Sequence, residues 1–149
     1  MRAVVQRVSK SSVTVNGEII GSINRGLNVL VGISKDDTIE DLKYIKDKII
    51  NLRIFEDEKE RMNLSVNDIK GEILIISQFT LYGDCRKGRR PNFMNSMSPK
   101  EAEELYKKFL EMMNETELKI QCGEFGADMK VSIENDGPVT ILLDSSKEF

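Results

Sequence analysis

Ser77-Gln78-Phe79-Thr80-Leu81 sets two hydroxyls and one amide side by side, directly after the apolar run Ile73-Leu74-Ile75-Ile76. Ser77 and Thr80 can each donate and accept a hydrogen bond, and Gln78 can do both through one amide. The backbone N–H groups of the stretch can hold a developing oxyanion. The same residues also describe an ordinary strand end with ordinary capping, and on this stretch alone that is the better reading. A second stretch, Asn135-Asp136-Gly137-Pro138-Val139-Thr140, holds the strongest turn chemistry in the chain. Gly before Pro admits backbone angles that a Cβ forbids and leaves both carbonyls open to approach. On pattern alone it is a hairpin loop with a trans proline, since cis is the minority state of an X-Pro bond. A third stretch, Arg86-Lys87-Gly88-Arg89-Arg90, gathers four cations around a glycine. It reads as a loop that contacts phosphates or as a solvated basic turn, and Pro91 and Phe93 after it suggest an anchored loop.

Composition removes much other chemistry. The chain has 149 residues, 40% of them hydrophobic, with no His, no Trp and 2 Cys. Without His there is no Ser-His-Asp triad, no Cys-His pair and no His-based zinc site. Cys85 and Cys122 form no CxxC pair and are too few for a disulfide scaffold. No metal and no cofactor is therefore expected, and an enzyme built on this chain must use hydroxyls, carboxylates, Lys, backbone groups or its substrate. A net charge of -3 argues against a general polyanion binder, so a nucleic-acid contact has to be local. The length fits one domain over residues 1–149. With no signal peptide and no membrane-length apolar run, the expectation is a reducing, cytoplasmic setting.

The elements that must hold these stretches follow from pattern. Ala3–Val8 has strand character. Ser12–Val15, Asn16-Gly17 and Glu18–Ile20 read as a hairpin with a type I′ turn. Leu27–Ile33 is a further strand, and Leu52–Phe55 a short one. Asp37-Thr38-Ile39-Glu40 reads as a helix start, followed by Leu42, Ile45 and Ile49 at helical spacing. Ser98-Pro99-Lys100-Glu101 starts a second helix, with Ala102, Leu105, Tyr106, Phe109 and Met113 as its buried stripe. Glu72–Ile76 is unbroken and apolar after its first residue, which predicts a central strand buried on both faces. Lys119–Cys122, Lys130–Glu134 and Val139–Asp144 are the last strands, and Ser145–Phe149 is expected to be loose. Strands dominate, with two helices inserted. That is an α+β domain, an antiparallel, barrel-like curled sheet covered by two helices.

Taken together, Ser77-Gln78-Phe79-Thr80-Leu81 and Asn135-Asp136-Gly137-Pro138-Val139-Thr140 resemble the two signature motifs of the D-aminoacyl-tRNA deacylases. Arg2-Ala3-Val4-Val5-Gln6-Arg7-Val8, Lys87-Gly88-Arg89-Arg90-Pro91-Asn92-Phe93, and Phe125 with Asp128-Met129 support the match, which covers essentially the whole chain. The resemblance implies a homodimer that hydrolyses the ester between a D-amino acid and the terminal adenosine of tRNA, and that also removes glycine from tRNA for alanine. It implies that Gly137–Pro138 is cis and reaches into the partner's pocket, facing Ser77, Gln78, Phe79 and Thr80 there. Arg7 matches the residue bracing that element and Met129 one lining the same region. The resemblance also implies that the 2′-OH of the terminal ribose assists, with the Phe79 N–H as oxyanion donor. A nucleophilic Thr80 is the rival mechanism, for which the motif shows no adjacent base. Arg86, Lys87, Arg89 and Arg90 are the candidate contacts to the tRNA acceptor end; no DNA and no membrane is expected as a partner. The alternatives from other classes are a non-catalytic RNA-binding barrel using that basic loop, and a structural dimerisation module.

Overall fold

The six-stranded sheet is built outward from its first strand, which pairs directly with three of the others. A computed structural model describes residues 1–149. In chain order it contains β1 (Arg2–Val15), β2 (Glu18–Ile23), β3 (Gly26–Gly32), α1 (Ile39–Asn51), β4 (Phe55–Glu56), β5 (Met62–Leu64), β6 (Glu72–Ser77), a 3-10 turn (Phe79–Tyr82), α2 (Pro99–Asn114), β7 (Lys119–Cys122) and β8 (Lys130–Asp144). Asn16 (φ 50°) and Gly17 (φ 82°) take the two positive φ angles a type I′ turn requires, and Val15 pairs with Glu18 across it. β2 and β3 then follow one edge of β1 in succession, from Val15↔Glu18 to Arg2↔Gly32. β8 runs antiparallel along the other edge. The sheet curls toward closure: β2 meets β7 so closely that a Cβ at Gly21 would lie 3.0 Å from the Cys122 carbonyl oxygen.

The α+β class and the two covering helices agree with the sequence reading, but the sheet is mixed where an antiparallel one is expected. β6 pairs parallel to β3, from Gly26↔Glu72 to Val31↔Ser77, and parallel to β7. The helices are the cause. The β3–β6 connection contains α1 and the small β4–β5 hairpin, and the β6–β7 connection contains α2. Each crosses back and re-enters the sheet in the same direction, which a tight turn cannot do. The burial of β6 is as its apolar run requires. Ile73 and Ile75 join the main core, while Leu74 and Ile76 join a smaller cluster with Val8, Val13 and Ile23. Burying each such side chain stabilises by about 2 kcal/mol, so the strand that delivers Ser77 is held by packing on both sides.

The main core lies between the sheet and the helices. α1 buries Leu42, Ile45 and Ile49, and α2 buries Ala102, Tyr106, Phe109, Met112 and Met113. The Tyr106 hydroxyl is satisfied by the Ile75 carbonyl at 3.1 Å. The cap of α1 is one residue later than its sequence suggests: Thr38 N–H donates to Asp41 Oδ2 at 2.8 Å. Asp37 is used elsewhere, accepting from the Met1 ammonium and from Ser34 N–H. The segment Ser145–Phe149 is not loose. Ser145 N–H donates to the Met1 carbonyl at 2.9 Å, and Glu148 pairs with Arg2 at 2.7 Å.

The largest departure is at Asn135–Thr140. A hairpin reverses the chain, but here both flanks run the same way along β1, from Thr14↔Lys130 to Val8↔Asn135 and on from Gln6↔Thr140 to Arg2↔Asp144. Between them β1 spends only Arg7 while β8 spends Asp136 to Val139. The Gly-Pro unit is therefore a bulge pushed out of one continuous 15-residue strand. Its Gly137–Pro138 peptide bond is cis, as the family resemblance implies and the bare pattern does not.

Candidate active site

A cleft of about 680 Å³ opens where β6 ends. Ser77, Gln78 and Phe79 line it, with Met129 just before β8 and Val131 at the start of that strand. Ala102 on α2, with Phe93 and Phe125, completes apolar walls. The Phe79 and Phe93 rings meet edge to face at 5.1 Å, so the turn and the loop before α2 brace each other. No ionisable side chain lines this cleft. It offers substrate only hydroxyls, an amide, backbone groups and apolar surface.

The expected strand end is a 3-10 turn, which supplies donors. Gln78 N–H is used, donating to the Val31 carbonyl at 2.7 Å, and Leu81 N–H closes the turn on the Gln78 carbonyl at 3.2 Å. The first N–H groups of a helical turn have no partner within it. Phe79 and Thr80 hold those two positions, and neither N–H has a partner elsewhere. Thr80 itself is exposed and does not line the cleft; its hydroxyl oxygen accepts from the Gln78 amide. A donor in that position cannot take a proton from the hydroxyl.

Arg7 sits beneath the bulge and is 7% exposed. Its Nη1 donates to the Ile54 carbonyl at 2.8 Å, and its Nε lies 3.1 Å from Asp136 Oδ2 and 3.3 Å from the Asp136 carbonyl. Asn135, to which the sequence reading assigns only turn chemistry, staples the mouth of the bulge: its Nδ2 donates to the carbonyls of Arg7 at 2.9 Å and Val139 at 3.0 Å. Gly137 and Pro138 are exposed on this support. None of residues 135–138 lines the cleft of the same chain.

The structure thus brings Ser77, Gln78, Phe79 and Met129 together, and separately Arg7 with Gly137 and Pro138. The basic loop stands apart from both on a two-residue bridge, Asp84↔Asn92. Its four cations are exposed, but they are not equivalent. Arg86 grips Asp84 through two bonds of 2.9 and 2.7 Å, and those bonds hold the Asp84 carboxyl down at about 2. Lys87, Arg89 and Arg90 make no ion pair. Ala102, Phe93 and Phe125 are cleft walls that sequence reasoning did not place in the site. Ala102 read only as the small member of a helix stripe, and the aromatics gave no spacing signal.

The class defined by this fold and site is confirmed by comparison. A family model described as D-Tyr-tRNA(Tyr) deacylase matches residues 4–144. The chain belongs to this family, the D-aminoacyl-tRNA deacylases, and is a hydrolase by that membership. A D-aminoacyl-tRNA deacylase of Clostridium botulinum (strain Eklund 17B / Type B) is 72% identical over 149 residues, covering 100% of both chains. Among solved structures, a c-Myc DNA Unwinding Element Binding Protein is 51% identical, with a TM-score of 0.92 over 97% of this chain and 98% of that one. A probable eukaryotic D-amino acid tRNA deacylase shares the fold at 19% identity, with a TM-score of 0.81 over 95% of this chain and 97% of that one. No helix is long and apolar enough to cross a membrane.

Proposed function

We propose that this chain, as a homodimer in the cytoplasm, hydrolyses the ester of D-aminoacyl-tRNA and of glycine mischarged on tRNA for alanine. The observation that carries the mechanism is a cleft without one ionisable side chain, bordered by the unpaired N–H of Phe79. Such a site cannot supply a general base. It can supply position and an oxyanion donor, the larger contributions in acyl transfer. The 2′-OH of the terminal ribose then assists attack on the adjacent ester, and the apolar walls take the terminal nucleoside. The Gly137-Pro138 bulge of one chain closes the cleft of the other. Its carbonyls accept from the substrate α-ammonium and leave no room for an L side chain. Rejection by clash needs no attractive contact to the varied D side chains. Hydrolysis of D-Tyr-tRNA with L-Tyr-tRNA left intact is the expected result of a deacylation assay; equal hydrolysis of both, or of neither, sinks this reading.

Two further outcomes separate its parts. Thr80→Ala should keep activity within about tenfold of the parent, because the only side-chain partner of Thr80 is an amide donor. A folded but inactive Thr80→Ala chain, or a trapped acyl-Thr80 adduct, would instead make Thr80 the nucleophile. In this mechanism a substrate ending in 2′-deoxyadenosine is hydrolysed poorly.

The second outcome concerns the basic loop, the feature that favours a plain RNA-binding module. Replacing Lys87, Arg89 and Arg90 by Gln should weaken tRNA binding and flatten its salt dependence. Adding Arg86→Gln should change less, since that guanidinium is already paired with Asp84. Preference for D over L should stay unchanged, as phosphate contacts position without reading the amino acid. Unmoved tRNA affinity makes the loop a solvated turn. Duplex DNA is not expected to compete.

A further inference from the structure

The 3-10 turn that carries Phe79 is held from behind by a residue far from it in sequence. Arg2, at the start of β1, donates from Nη1 to the Leu81 carbonyl at 3.2 Å. Its guanidinium carbon lies 4.7 Å from the Tyr82 ring centroid and 5.4 Å from the Phe149 ring centroid. Leu81 and Tyr82 are the last two residues of the turn, and Tyr82 is only 8% exposed. The other side of Arg2 is held by the segment after β8. Nη2 bonds Glu148 Oε2 at 2.7 Å, and Nε faces Asp144 Oδ2 at 3.5 Å. That segment is itself shaped to reach back. Lys147 takes a φ of 57°, its N–H closes on the Asp144 carbonyl at 3.2 Å, and both the Ser146 N–H and hydroxyl bond Asp144 Oδ1.

We infer that Arg2, clasped by residues 144–149, is a positioning residue that fixes the orientation of the Phe79–Tyr82 turn. The other restraints named above act on the start of the turn: Gln78 N–H bonds the Val31 carbonyl and the Phe79 ring meets Phe93, while the N–H bonds of Leu81 and Gly83 only close the turn on Gln78 and Thr80. A guanidinium both stacks on an aromatic face and hydrogen-bonds in its own plane, so one side chain fixes the turn's tilt and its height. A lysine or a methionine does at most one of these. Arg2 does not line the cleft, so it acts only through the turn. The functional half of this inference rests on the reading that the Phe79 N–H faces the reacting ester.

The experiment compares Arg2→Met and Phe149→Ala with the parent chain by two measures. One is hydrogen exchange at the amides of Leu81, Tyr82 and Gly83, which reports the turn without any substrate. The other is steady-state deacylation of D-Tyr-tRNA. The expected result for Arg2→Met is faster exchange at those amides, with kcat reduced about tenfold and KM within about twofold. Phe149→Ala, which leaves Arg2 and its bond to Leu81 in place, should move both measures the same way by less, without threatening the fold. Unchanged exchange in both variants overturns the clasp. Faster exchange with unchanged kcat overturns the positioning role, as does a loss confined to KM or to thermal stability. A parent chain inactive on D-Tyr-tRNA would count against the reading of the site, while the exchange result would still decide whether Arg2 holds the turn.

Discussion

Gly137→Ala is expected to lower kcat/KM for D-aminoacyl-tRNA by about 100-fold or more, the scale of loss when a positioning element shifts by about 1 Å. Gly137 has φ +118°, a region L residues rarely enter. A Cβ there would stand 2.8 Å from Val139 Cγ2, 3.0 Å from Arg7 Nη2 and 3.0 Å from Val139 N. None of these neighbours can yield cheaply. Val139 is 8% exposed and packs into the main core, and Arg7 is tied to the Ile54 carbonyl. The bulge must therefore change shape, and its carbonyls turn with it. The fold should survive, because the flanks of the bulge stay paired with β1 and the strain is about 1–3 kcal/mol. Single-turnover deacylation, with thermal unfolding as the control, checks this. A folded Gly137→Ala chain with parental activity would mean that the bulge does not touch substrate.

Ala102→Trp should be equally damaging from within the cleft. Ala102 lines the same cleft as Ser77 to Phe79 and, though buried, is not part of either hydrophobic cluster. An indole at this position has the cleft to enter and need not overpack the core, so α2 and thermal stability should change little. It occupies the space assigned to the terminal nucleoside. The loss should therefore appear as a rise in KM of about 100-fold, equivalent to ~3 kcal/mol of lost stacking and burial. Deacylation measured across tRNA concentrations reads this directly. If KM is unchanged, the nucleoside lies elsewhere, and the aromatic cleft needs another occupant.

Both variants show which parts of the site are visible in a sequence. The Ser77–Thr80 stretch is, because a continuous apolar run followed at once by polar residues marks where a buried strand reaches the surface. The glycine of the bulge is also visible, since Asn-Asp-Gly-Pro has few structural uses. Its geometry is not. A hairpin and a bulge use the same turn residues, and only the register along β1 distinguishes a chain that reverses from one that steps aside and continues. The parallel pairing of β6 was half legible. Its two-sided burial shows in Ile73 to Ile76, but the direction of its neighbours depends on the path of the crossovers. Ala102 is hidden for a different reason: a small residue on a helix stripe means close packing as often as it means an open wall. By residue type Arg86 is no different from Lys87, Arg89 and Arg90; only the fold of the loop sets it on Asp84.

The central claim is that the bulge of one chain completes the cleft of its partner. It is tested most directly by a mixed dimer of a Gly137→Ala chain with an Ala102→Trp chain. The two would be co-expressed with different affinity tags and purified through both. If the bulge acts across the dimer, the intact cleft of the first chain meets the intact bulge of the second, and one of two symmetric sites works. With tRNA well below KM, the account predicts about half the D-Tyr-tRNA deacylation of the unsubstituted dimer, from two variants that each retain about a hundredth of it alone. If the bulge instead serves its own chain, every site in the mixed dimer carries one defect. Activity no greater than that of the two variants alone would contradict the account.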